Sequence, residues 1–266
     1  MTAAVRAEWR KWTTTRLWWI LLIVMAGYMA FIGAVLALSF TLAPTVSPGM
    51  PALSGEAMAV SVYSSGNGLG YVFPLLVGTL AMTSEYRYQT ITPSMLAEPN
   101  RWTFLGAKLV LALGLGLVFG VVGTVATVVT AAPLLVWQGE GAYLGNPDVV
   151  VPVLLSVLAL SLWSVIGVGI GTVITNQVLA VVVVLGWTQF VEPLARLGLG
   201  AVDSLSGVAR FLPGATSDAL IGASTYAAMS PGVELLSRPW GALLFVAYGV
   251  ILVLIGRFTT LRRDIT

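Results

Sequence analysis

Residues 149–191 read VVVPVLLSVLALSLWSVIGVGIGTVITNQVLAVVVVLGWTQFV, a run of 43 side chains without a single charge. One membrane crossing needs about 20 apolar residues, so the run is too long for one and suits two. The polar Thr175, Asn176 and Gln177 divide it into a span at about 150–174 and another at about 178–191. In lipid every backbone N–H and C=O must be paired internally, which admits only helices or a closed barrel. Barrel strands alternate in polarity over about ten residues, and this stretch does not, so the fold class is all-α.

The rest of the chain agrees. Of 266 residues, 58% are hydrophobic and 9% charged, and the mean hydropathy is +0.94. Soluble domains carry about 25% charged residues. Working outward from 149–191, further apolar runs predict spans at about 17–42, 57–83, 109–136 and 240–256, six in all within one transmembrane domain. The 57–83 run is expected to be loose in its outer part, from Ser61 to Gly68, and kinked at Pro74. Gly114, Gly116 and Gly120, and then Gly167, Gly169 and Gly171, supply small-residue faces for close helix packing.

Six spans alternate the sides of the connecting segments. One side then holds Arg6, Arg10, Lys11, Arg16, Arg87, Arg101, Lys108, Arg257, Arg262 and Arg263, and the other only Arg196, Arg210 and Arg238. The positive-inside rule places the first side, with both termini, in the cytoplasm, as in a multi-pass plasma-membrane protein. The net charge of +2 is thereby an orientation signal, since no aromatic-interleaved basic patch points to nucleic acid. The chain has no cysteine and no histidine, which excludes disulfides, thiolate catalysis and His-based metal sites.

Three segments outside the spans bear on function. In residues 3–16, Val5, Trp9 and Trp12 share one helical face while Arg6 and Arg10 point elsewhere, which predicts an interfacial helix on anionic lipid, anchored by Trp9, Arg10 and Trp12. The inner loop 84–108, SEYRYQTITPSMLAEPNRWTFLGAK, mixes charged, aromatic and aliphatic residues as a protein-docking surface would, with Glu85, Arg87, Glu98 and Arg101 as the candidate contacts. In the outer segment 192–239, Leu194, Leu197, Ala201, Leu205, Val208 and Leu212 fall on one face with Arg196, Asp203 and Arg210 opposite. This predicts an amphipathic helix between spans five and six, opened by Pro193 and stopped by Pro213 and Gly214.

The stretches E-Y-R-Y-Q-T-I, M-L-A-E-P-N-R and A-K-L within 85–109 resemble the cytoplasmic loop between the second and third spans of ABC type-2 transporter permeases. A-E-W-R-K-W-T-T-T-R-L-W-W at 7–19, R-F-L-P-G-A-T-S-D-A-L at 210–220 and L-R-R-D-I-T at 261–266 resemble the N-terminal helix, the loop before the last span and the ending of the same family. The resemblance implies a permease subunit that works as a homodimer or with a related permease, served by a separate ATP-binding cassette ATPase. It also implies export, and an outer helix that dips back into the membrane. The sequence itself contains no G-x-x-x-x-G-K-[ST] phosphate loop, no constellation for catalysis or a cofactor, and no Asp/Glu pair inside an expected span. Any transport would therefore draw its energy from a partner, and spans with few polar groups favour a hydrophobic or amphipathic substrate. The alternative is a membrane protein that does not transport: a sensor, an assembly factor or an immunity protein.

Overall fold

The computed structural model describes residues 1–46, 55–200, 206–224, 226 and 235–261. Among these the regular structure is helical throughout: α1 (Thr2–Thr13), α2 (Leu17–Val46), α3 (Gly55–Tyr63), a π turn (Gly66–Gly70), α4 (Val72–Arg87), α5 (Ile91–Ala97), α6 (Arg101–Trp137), α7 (Pro147–Val173), α8 (Gln177–Gly186), a second π turn (Trp187–Val191), α9 (Glu192–Gly200), α10 (Ser206–Ala209), α11 (Pro213–Ile221) and α12 (Arg238–Thr259). Among the described residues, five helical stretches are long and apolar enough to cross a membrane: Leu17–Phe40, Arg101–Trp137, Pro147–Val173, Gln177–Gly200 and Arg238–Thr259.

Asparagines set three of the starts. Asn100 accepts from the Trp102 amide at 3.0 Å, Asn146 from Asp148 at 2.9 Å and Asn176 from Leu179 at 3.0 Å, each satisfying an orphan donor of the first turn. The cap at Asn100 begins α6 well before the expected boundary at 109. At about 1.5 Å per residue, α6 outruns a hydrocarbon core of about 30 Å, so one or both of its ends project beyond it.

The segment expected to span 57–83 is helical in three pieces. Ser61 lies in α3 and Gly66 to Gly68 in the π turn, so the outer part is structured. Pro74 sits in the first turn of α4, where its missing N–H breaks no helical bond. The interruption lies upstream, at Gly66–Gly70. Helix α8 likewise passes through a π turn directly into α9. Pro193 does not open a new helix; it lies inside the continuing one, and the π turn before it relieves the clash its ring would make in a regular α-helix.

Helices α4 and α7 form the centre. A Cβ at Gly78 would stand 1.9 Å from the Ser164 carbonyl oxygen, and one at Gly167 2.1 Å from that of Leu75, so the two backbones touch through glycine. Gly116 and Gly120 of α6 meet Ser161 and Val157 of α7 in the same way, whereas Gly114 faces open space. Trp163 packs between Tyr71, tilted against it with ring centroids 4.4 Å apart, and Phe245, edge-on at 5.0 Å. Several buried hydroxyls donate to backbone carbonyls: Thr127 to Gly123 O and Thr172 to Gly169 O within their own helices, and Ser161 to Leu113 O across from α7 to α6. The outward faces are apolar, with Ile23, Phe31, Val129, Leu154 and Val182 all exposed, a surface that lipid covers and water does not tolerate.

Gly167→Ala should therefore cost about 1–3 kcal/mol through overpacking against backbone. Thermal unfolding in detergent should show a clear drop in Tm for this variant and none for Gly114→Ala.

Candidate functional site

Lysine 108 lies two turns into α6, with its side chain fully buried. A buried ammonium has three protons to place, and here each finds an acceptor: Glu8 Oε2 at 2.8 Å, Glu85 Oε1 at 2.9 Å and the Ala81 carbonyl at 3.0 Å. A second lysine closes the figure. Lys11 Nζ donates to Glu8 Oε1 at 2.8 Å, Glu85 Oε1 at 2.6 Å and Ser94 Oγ at 2.9 Å. Glu85 also accepts from Thr90 Oγ1 at 2.6 Å and Ser94 Oγ at 3.1 Å. Two carboxylates and two ammoniums thus join α1, α4, α5 and α6 at the end of the bundle that carries most of the basic residues.

Burial alone would push the Glu85 carboxyl up. Lys108 beside it and the hydrogen bonds from Lys11 and Thr90 overcome this and hold it at about 2, against an ordinary 4.5. Burial also works against the charge of Lys11, and its bonds to Glu8 and Glu85 more than offset that, so its pKa is raised.

A tight reversal delivers α5 to this cluster. The Gln89 amide donates to Tyr86 O at 3.2 Å and that of Thr90 to Glu85 O at 2.9 Å, with Gln89 in the left-handed region at φ 54°. This is the Schellman arrangement that ends helices, with glutamine where glycine is usual. Helix α5 then hangs between α4 and α6, Ile91 buried beneath it and Leu96 77% exposed above.

The four docking candidates do not form one surface patch. Glu85 is buried and wholly paired, Arg87 is exposed, and Glu98 and Arg101 are partly exposed around α5. The α1 anchors also divide. Trp12 is buried in the core cluster while Trp9 is 50% exposed and Arg10 exposed, so α1 turns its Glu8, Lys11 and Trp12 edge to the bundle. That edge is rotated by about 75° from the aromatic face, at 100° per residue. The sequence held a signal for this: Lys108 inside an apolar helix requires a counter-charge, and Glu8 and Lys11 sit three apart on α1.

At the opposite end, the Arg196 side chain, only 9% exposed, lies between two carboxylates, Glu192 at 3.1 Å and Asp218 at 2.7 Å. Glu192 also accepts from Tyr71 OH, Trp187 Nε1 and the Gly214 amide, at 3.2, 3.1 and 2.5 Å. Asp218 accepts from Asn67 Nδ2 at 2.7 Å, and Asn67 in turn from Ser217 Oγ at 2.6 Å. The expected amphipathic face is thus inverted: Leu194 and Leu197 are exposed and Arg196 points in. Ala201, Asp203 and Leu205 of that expectation lie outside the described residues, as do Arg262, Arg263 and the rest of 262–266. The fifth crossing-length helix runs on through Glu192 to Gly200, whereas Asp218 lies on the short α11, outside all of them. Compared with models of known protein families, with curated proteins and with solved structures, the chain matches none.

Removing Lys108 leaves buried carboxylate charge underpaired, a change that typically costs about 3–5 kcal/mol. Lys108→Met should expose α1 to trypsin at Arg10 and Lys11. Wild type should keep α1 protected from pH 8 to about 5. The Glu85 contribution is present above the unfolded pKa and is lost as pH falls from 4.5 towards 2. Tryptophan emission should accordingly shift to the red only below about pH 4.5.

Proposed function

We propose that this chain is the membrane-spanning permease subunit of an ATP-driven transporter, and that a separate ATP-binding cassette ATPase docks at its basic end. The observation that carries the proposal is the attachment of α5. This short helix exposes Leu96 on its free side and is tied from below, through Thr90 and Ser94, to the Glu85 carboxylate, which also binds α6 and α1. A load applied to α5 reaches the central helices α4 and α6 through charge-assisted hydrogen bonds, with no flexible linker between.

The docking surface proposed here is narrower than the sequence suggested: Arg87, Glu98 and Arg101 with Tyr88 and Leu96, and without Glu85. Six crossings complete the topology, with α3, the π turn and α4 together making the second. Support comes from both ends of α6. Glu85 of α4 binds Lys108 near the start of α6, and the Gly55 amide donates to Glu140 just past its end at 2.9 Å, so residues 55–85 travel the length that α6 travels. The basic end faces the cytoplasm in this account, with Trp9 and Arg10 of α1 turned to the lipid surface.

Two copies, or one copy with a related permease, would enclose the pathway. Gly27 and Gly186 have no atom near the position of a Cβ and are free for contact with another subunit, whereas Gly33 is filled by Thr127 and Thr130 of its own chain. The substrate class is hydrophobic or amphipathic and the direction outward, as the family resemblance implies.

Cysteines introduced singly at 142 and 96 test the topology in a chain that has none of its own. Position 142 should react with a membrane-impermeant maleimide in intact cells and position 96 only after lysis; labelling of 96 from outside would overturn the orientation. Docking is tested by Glu98→Lys combined with Arg101→Glu. The pair should lower ATPase association at least tenfold without changing membrane levels, whereas Arg10→Gln should not. Glu85→Lys is unsuited to this test, since it would break the buried cluster.

A further inference from the structure

Beside the charge cluster, a cleft of about 350 Å³ opens between α1, the start of α2, the end of α4 and the start of α8. Its floor is apolar, formed by Trp12, Leu80 and Ala81, and its lining also includes Arg16 and Gln177. The charges beneath it are already balanced: Glu8 and Glu85 face Lys11 and Lys108, and all three protons of Lys11 are committed. Arg16 is different. It is exposed and makes no ion pair among the described residues. The cleft therefore has a net charge of one positive unit. Gln177 adds a buried amide oxygen with no hydrogen-bond partner, an acceptor waiting for a donor.

Outside the mouth the surface changes character. Leu17, Ile20 and Val24 along α2, and Val178, Leu179 and Val182 along α8, are exposed apolar side chains that lead from the cleft toward the middle of the bundle. An occupant that fits carries one negative charge and a hydrogen-bond donor at one end, and long apolar chains at the other.

We propose that this cleft binds one anionic glycerophospholipid with a polyol headgroup, its phosphate on Arg16, a headgroup hydroxyl on Gln177 and its acyl chains between α2 and α8. Basic pockets between helices on the cytoplasmic side are suited to such headgroups, and here a single unpaired cation matches a single phosphodiester. The inference rests on the cytoplasmic placement of the basic end only for which leaflet supplies the lipid. Because the cleft is bounded by the α1 junction on one side and α8 on the other, the lipid would also fix the gap between them.

The test is lipid retention by the full-length protein, measured by native mass spectrometry after delipidation and titration with defined lipids. Dioleoyl phosphatidylglycerol should bind as one tightly held copy per chain, and dioleoyl phosphatidylcholine at least tenfold more weakly. Arg16→Gln should abolish that preference and Gln177→Leu should reduce it, while Arg10→Gln, on α1 but away from the cleft, should leave it intact. Equal retention of the two lipids by the wild type would overturn the proposal, as would an equal loss in Arg10→Gln and Arg16→Gln, which would mean general surface electrostatics. Inorganic phosphate competing at the same concentration as the lipid would also overturn it, since the site would then be for a free anion. None of these readouts involves an ATPase, so they stand or fall separately from the proposed function.

Discussion

The ammonium of Lys108 must be fully hydrogen-bonded where it stands, because a buried charge left unpaired costs several kcal/mol. That requirement brings Glu8 from the N-terminal helix and Glu85 from the central helix to the same point, 100 and 23 residues away in sequence. Once they are there, Lys11 balances the second carboxylate, and Thr90 and Ser94 fix α5 beneath it. The basic end of the bundle is thus organised around one side chain. Replacing the cluster with apolar residues could be as stable, so its value lies in specificity: it fixes the rotation of α1 and the position of α5, which apolar packing alone would define less sharply.

The acidic end repeats the device with the signs exchanged. There a single arginine lies between two carboxylates, and Asn67, from the π turn that interrupts the second helical segment, completes the coordination of Asp218. Between the two clusters the contact of α4 and α7 is made through backbone at Gly78 and Gly167. Polar locks at both ends and close glycine packing in the middle suit a bundle in lipid, where apolar side chains gain little from leaving one hydrocarbon environment for another.

The helical class and the approximate positions of the long helices were legible in the sequence, because runs such as 149–191 leave no alternative in a membrane. What was not legible depended on distant partners. Periodicity grouped Val5, Trp9 and Trp12 on one face, but the face that α1 buries is decided by Lys108, which no local pattern reveals. Glu85 looked like a surface charge because it follows an apolar run and precedes a loop, and it is among the most enclosed carboxylates of the chain. Pro193 looked like a helix start, since proline favours the first turn; the π turn at Trp187–Val191 lets the helix continue through it. Arg196 looked solvent-facing by the ordinary amphipathic rule, which inverts when the apolar face meets lipid and the carboxylates lie inside.

The cluster that buries Glu85 also ties α5 to α4 and α6, and the proposed function therefore uses the residue for coupling and not for contact. The proposed function makes the chain one subunit of an ATP-driven assembly. The most direct measurement is the mass and activity of the intact complex, extracted with its surrounding lipid by a membrane-solubilising polymer. The complex should contain copies of this chain with an equal number of soluble, ATP-hydrolysing subunits, and its hydrolysis should be inhibited by vanadate. A stable assembly of this chain that contains no nucleotide-hydrolysing subunit, isolated under conditions that preserve function, would contradict the proposed function.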